Sequence, residues 1–135
     1  ALRQGFTIVE TMIIIALIGL IAAIAAPPMF RYAQSNNLQT TTDRMLSDLQ
    51  YARTMSISTG VIMQFTTTAG GYQVINPIEG KVLRENEFTG GLKLTDEVTT
   101  NFFPWGMADA RVFNLANGAG NRQINLLPTG IVEVH

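Results

Sequence analysis

The sequence of 135 residues contains no cysteine. A disulfide framework and every thiolate metal site are thereby excluded. The single histidine is His135, so a metal site or triad that needs an internal imidazole is out as well. An excess of charge is also lacking: nine basic and ten acidic side chains leave a formal net charge of -1. That balance excludes a nucleic-acid binder that works through bulk basic charge. There is no GxSxG, P-loop or HExxH pattern. Gly60, Gly70-Gly71, Gly90-Gly91 and Gly118-Ala119-Gly120 do not follow the strand–glycine–helix order of a phosphate cradle and read as turns.

Charge is absent altogether between Glu10 and Arg31. From Phe6 to Ala26, 17 of 21 residues are apolar, the exceptions being Thr7, Glu10, Thr11 and Gly19. A helix of that length spans roughly 31 Å, about a bilayer core. It is apolar all round, which suits lipid rather than one face of a soluble core. Glu10 does not fit a plain anchor, since a carboxylate at mid-membrane costs roughly 2.5–3.5 kcal/mol on insertion scales. It lies one turn inside the segment, where snorkelling to the headgroups lowers that cost. The sharper reading gives it a cationic partner on another subunit. Cleavage after Gly5 would place a new α-amine on Phe6, four positions before Glu10 and on the same helix face.

Gly5-Phe6-Thr7-Ile8-Val9-Glu10, the uncharged run and then Pro27 resemble the type III signal of type IV pilins and type II secretion pseudopilins. The resemblance implies a prepilin peptidase that cuts between Gly5 and Phe6 and methylates the new terminal phenylalanine. It implies an assembly role for Glu10 and a helix kink at Pro27, sharpened by Pro28. Residues 1–5 are then expected to be a truncated leader or an expression remnant. A rival reading takes Ala23-Ile24-Ala25 as the A-x-A site of an ordinary secretory signal. It leaves Glu10 unexplained and makes the motif at Gly5 a coincidence.

Residues 29–59 hold no glycine or proline. Leu38, Met45, Leu49 and Ala52 mark one helical face, widened by Leu46 and Met55. Arg44 and Asp48 are expected to pair at i,i+4 on the wet side, and Gly60 is a stop signal. One helix over residues 6–58, broken or bent at Pro27-Pro28, is predicted. Leu46-Ser-Asp-Leu49-Gln-Tyr51-Ala52-Arg53 resembles the L-x-x-L-x-x-A-R segment of H-type minor pseudopilins and FimT/FimU-type minor pilins. After Gly60 the period changes to 2. Strands are expected around Val61–Thr66, Tyr72–Ile75, Lys81–Arg84, Leu92–Leu94, Val98–Phe103, Arg111–Leu115, Arg122–Leu127 and Ile131–Val134, separated by Gly/Pro/Asn turns. Phe113, Gly118, Ile124, Leu126 and Gly130-Ile131-Val132 resemble the closing strands of the H/FimT class.

The fold class is therefore α+β: a long N-terminal helix packed on an antiparallel β-sheet head of about six to eight strands. The organisation is residues 1–5 as leader remnant, 6–28 as transmembrane and filament-core helix, 29–59 as amphipathic helix of the head, and 60–135 as β-rich head. Glu79, Glu85, Glu87, Asp96, Glu97 and Asp109 are scattered, with no ligand spacing for a metal. No catalytic residue, metal or cofactor is expected. Phe102, Phe103 and Trp105 read as core or loop anchors, and an exposed Trp105 would suit a subunit contact.

The resemblance implies a structural, non-enzymatic minor pseudopilin or minor pilin of a type IV filament machine, joining the tip or initiation complex. Its partners would be other pilins or pseudopilins in a hetero-oligomeric filament, the prepilin peptidase and the inner membrane. It would sit there by a single pass with its head in the periplasm, then enter the filament. The absence of cysteine leans toward secretion. The alternative is a pilus-tip minor pilin that binds DNA in natural transformation through Arg111 and Arg122. Solubilising charge on a sheet edge is the simpler account of those two arginines.

Overall fold

The computed structural model describes residues 4–135. The first three residues of the expected leader lie outside the described residues. The helix α1 runs over Ile8–Thr59 and the eight strands are β1 Met63–Thr68, β2 Gly71–Asn76, β3 Lys81–Glu87, β4 Lys93–Leu94, β5 Thr99–Phe102, β6 Arg111–Asn117, β7 Gly120–Leu126 and β8 Val132–Val134. The chain divides into two compact units, Ala1–Ala33 and Gln34–His135.

In the first unit, α1 starts from a cap. The Thr7 hydroxyl accepts a hydrogen bond from the Glu10 backbone N–H at 3.1 Å, satisfying one of the orphan donors of the first turn. From there the segment buries nothing: Ile8, Met12, Ile15, Ile18, Ile21 and Ile24 are all exposed. Pro27 and Pro28 lie inside the helix. Of the expected break or bend, a break is not seen: α-helix runs uninterrupted through the doublet. Without two N–H groups, the carbonyls of Ala23 and Ile24 lose their usual donors four residues on.

In the second unit, α1 is one-sided. It buries Leu38, Thr41, Thr42, Met45, Leu49, Ala52 and Ser56, at three- and four-residue spacing. The polar members are satisfied locally or by the sheet: the Thr42 hydroxyl donates to the Leu38 carbonyl at 2.7 Å, and the Ser56 hydroxyl to the Phe102 carbonyl at 2.8 Å. Gly60, at φ 68°, ends the helix in the left-handed conformation.

The strands form two four-stranded antiparallel sheets, ordered β3-β2-β1-β5 and β4-β6-β7-β8. Phe65 of β1 stacks on Tyr72 of β2 with centroids 4.9 Å apart. It also meets Phe113 of β6 edge-on at 5.7 Å. One aromatic seam therefore joins both sheets, and Met45 and Leu49 belong to the same buried cluster. β1 begins at Met63 rather than Val61, and the strand expected at Leu92–Leu94 shortens to two residues. Gly71 is required by close packing: a side chain there would collide with the Asn86 carbonyl of β3.

The expected Arg44–Asp48 pair is not formed. The Asp48 carboxylate instead accepts the Tyr72 hydroxyl at 2.6 Å. Burial first, and then that anionic acceptor, push the Tyr72 phenol far above its ordinary value. A long-range partner outcompetes the local one because it also satisfies a buried hydroxyl.

Candidate functional site

The sequence-predicted site residues fall in three places. Glu10 sits in the first turn of α1, exposed, where the positive end of the helix dipole favours a carboxylate. Phe6 is exposed two residues before the first helical residue, and Gly5 is exposed beside it. Sequence reasoning missed the cap at Thr7. Its signal was present as Thr7-x-x-Glu10, the spacing of a capping box. In this stretch of α1 an 18-residue window reaches mean hydropathy 2.7 with none of it buried, enough by length and composition to cross a bilayer.

Arg111 and Arg122 are not brought together. Arg111 begins β6 opposite Leu126, and Arg122 lies on β7 opposite Leu115. Four residues of strand separate the two positions, roughly 13 Å. Arg111 shares a cleft of about 680 Å³ with the carboxylates of Asp96 and Glu97. Such neighbours repel a phosphate backbone, and no aromatic platform lines that cleft. Among the described residues there is no group of three or more His, Asp or Glu able to hold a metal ion.

Arg53 has a role that its helical position alone did not disclose. Its Nε donates to the Gly106 carbonyl at 3.0 Å, and its Nη2 to the Thr129 carbonyl at 3.3 Å. One guanidinium thus fastens two turns, residues 103–107 and 128–130, to α1. Gly106 and Gly130 both have positive φ, 87° and 81°. A side chain on Gly130 would overlap the Gly106 carbonyl and the Arg53 side chain. Ala52, fully buried beside it, lets α1 approach the sheet. The Ala-Arg pair of the resemblance therefore has a structural basis in this head.

The turn held by Arg53 displays Trp105. Its ring stacks on Phe103 at 4.9 Å and 9°, yet it remains 68% exposed. Phe102 is fully buried, so the Phe102-Phe103-Trp105 group divides: the first is core, the second a support, the third a surface side chain. Trp105, Phe103, Pro104, Pro77, Ile78 and Ile62 line a cleft of about 530 Å³.

Residues 41–130, two thirds of the chain, match the family described as "Type II transport protein GspH". Two crystal structures of the type IV minor pilin FimU of Pseudomonas aeruginosa strain PAO1 are similar in fold. In space group P21 the TM-score is 0.63 at 18% identity, covering 77% of this chain and 92% of FimU. In space group P65 it is 0.60 at 18% identity, covering 73% and 92%. No curated protein gives a significant sequence match.

Proposed function

The chain belongs to the GspH family of type II transport proteins, and from that premise we propose how its parts serve a filament. The protein is a minor pseudopilin or minor pilin-class structural subunit of a type IV filament system. Its apolar N-terminal helix fits a membrane anchor and its head a soluble domain. Family membership implies assembly with other pilin-type subunits.

The finer reading rests on one observation: a helical segment apolar on every face, wholly unburied, with a single acidic residue in its first turn. Such a segment must be covered by lipid or by other helices. In this proposal a prepilin peptidase cuts between Gly5 and Phe6 and the new Phe6 amine is methylated. The subunit waits in the inner membrane with its head in the periplasm. It then joins the tip complex that starts a filament, exchanging lipid for neighbouring helices. Glu10 pairs with an N-terminal amine there, and an unpaired carboxylate penalises misregister. Pro27, with its missing N–H, loosens the helix between residues 6–28 and 29–59 and lets the membrane half bend. No catalytic step is assigned.

The test is the intact mass and N-terminal residue of the full-length protein recovered from native membranes. The expected product begins at methylated Phe6. A product beginning near Ala26 sinks the assembly mechanism, because the filament-core helix is then removed.

A further inference from the structure

We propose that Phe30, Arg31 and Tyr32 form a membrane-interface anchor. Arg31 pairs with the phosphate groups of the lipid headgroups, and the two rings lie in the layer between headgroups and hydrocarbon. The inference rests on the membrane part of the reading above. It adds the lipid group that is contacted and the depth at which the helix sits.

Three observations carry it. The first is a cluster that the core of the head does not use. Met29, Phe30 and Tyr32 are 70%, 71% and 76% exposed, in a stretch of α1 that belongs to the first unit. The buried positions of α1 begin only at Leu38. Three large side chains therefore follow the uncharged run directly and bury nothing.

The second is a cation without an anion on its own helix. No acidic residue occurs between Glu10 and Asp43. Asp43 lies twelve residues beyond Arg31, about 18 Å along the helix. The positions three and four residues from Arg31 are Pro27, Pro28, Gln34 and Ser35, so no helical ion pair is available to it. A guanidinium flanked by rings fits a layer of fixed negative charge with apolar depth below it. Headgroup phosphates supply that charge, and aromatic side chains concentrate at the same level. A neighbouring apolar helix would have to bury the guanidinium unpaired, at a cost that lipid phosphate does not impose.

The third is length. Glu10 and Arg31 are 21 residues apart, about 31 Å along α1. A tilt of about 20° brings that to about 30 Å, the thickness of the hydrocarbon. The two charges that bound the uncharged run then reach the two headgroup layers together, and Leu20-Ile21 lies at the midplane. A span set at Phe6–Ala26 leaves Arg31 about 8 Å beyond the hydrocarbon. That register gives Met29 and Phe30 to water and buries Glu10 one turn deep. The anchored register avoids both costs. Glu10 stays ionised at the headgroups while the subunit waits, and needs a partner only when the helix leaves lipid.

The cysteine-free sequence makes one introduced thiol the only one in the full chain. Ile18→Cys, Met29→Cys and Ser35→Cys are compared in right-side-out vesicles of the native membrane, with a membrane-impermeant maleimide. All three should label fully in dodecyl sulfate. A thiol in hydrocarbon forms no thiolate, so Met29→Cys is expected to react at least about tenfold more slowly than Ser35→Cys. Adding Arg31→Glu to Met29→Cys is expected to raise its labelling at least about fivefold. The same pattern is expected for the purified chain in vesicles of phosphatidylethanolamine and phosphatidylglycerol, where no other subunit is present. Met29→Cys labelling as fast as Ser35→Cys, Ser35→Cys protected as well, or no response to Arg31→Glu overturns the anchor. Protection of Met29→Cys that is lost in the defined vesicles assigns the cover to another subunit and overturns it too. Failure of the wider reading looks different: Ile18→Cys then labels as freely as Ser35→Cys, and the membrane segment itself falls.

Discussion

Arg53→Ala is the most direct probe of how the head is held together. The guanidinium makes two charge-assisted bonds to backbone carbonyls, a part-buried one at 3.0 Å and an exposed one at 3.3 Å. Hydrogen bonds to charged groups contribute about 1.5–3 kcal/mol each when buried, and an exposed, long one far less. Water can reach the vacated side through the shallow cleft lined by Gln50, Thr54 and Ile131, so the Gly106 carbonyl is rehydrated in part. The expected loss is about 2 kcal/mol. The head spans Gln34–His135, and a domain of that size changes its unfolding entropy such that 2 kcal/mol lowers Tm by about 9 °C. Trp105, the single tryptophan, sits in the turn that Arg53 restrains, so its fluorescence reads both the melt and the freedom of the turn. Arg53→Lys keeps the charge but has one donor group in place of the fork, and should recover no more than half of the loss. A Tm for Arg53→Ala within 2 °C of the parent would refute the clamp.

Glu10→Ala should leave cleavage between Gly5 and Phe6 unchanged while filament incorporation falls, as read by N-terminal mass and by subunit recovery from sheared filaments; normal incorporation would sink the charge-pairing mechanism. Tyr72 gives a pH signature. Its folded phenol titrates above its ordinary value near 10, so its contribution is complete below pH 10 and is lost as pH rises beyond it. Chemical denaturation of the head should show stability declining above pH 10, and Tyr72→Phe should flatten that decline; an identical slope in both proteins would remove Tyr72 as its source.

Much of this fold was open to a reader of residues, for reasons that differ by element. The apolar half of α1 was legible because Phe6–Ala26 is apolar on all faces with a single acidic exception, a pattern that a one-sided core helix does not carry. The head stripe was legible through Leu38, Met45, Leu49 and Ala52, all of them buried. The strands followed from turn chemistry at Gly70-Gly71, Gly118-Ala119-Gly120 and Pro128-Thr129-Gly130. Pairings across the chain were not. Asp48 chose Tyr72 over Arg44, because the tertiary partner is set by sheet register and not by helical spacing. Register also decides that Arg111 and Arg122 stand apart. Arg53 was marked as part of a family-like segment, but its two acceptors lie 53 and 76 residues away. Trp105 and Phe102, three positions apart, were one cluster by sequence and opposite environments in space.

The cap at Thr7 bears on maturation. Ile8 is the first helical residue, and the hydroxyl that closes the first turn belongs to the residue before it. The proposed cut ahead of Phe6 would therefore leave the helix its own start. On the processing proposed above, the peptidase would exchange a peptide bond for a cation within a turn of Glu10, ahead of a cap that Thr7 already supplies. On that proposal maturation would be a change of label on a helix start already made, and assembly could be withheld until that label exists without refolding the first turn of α1.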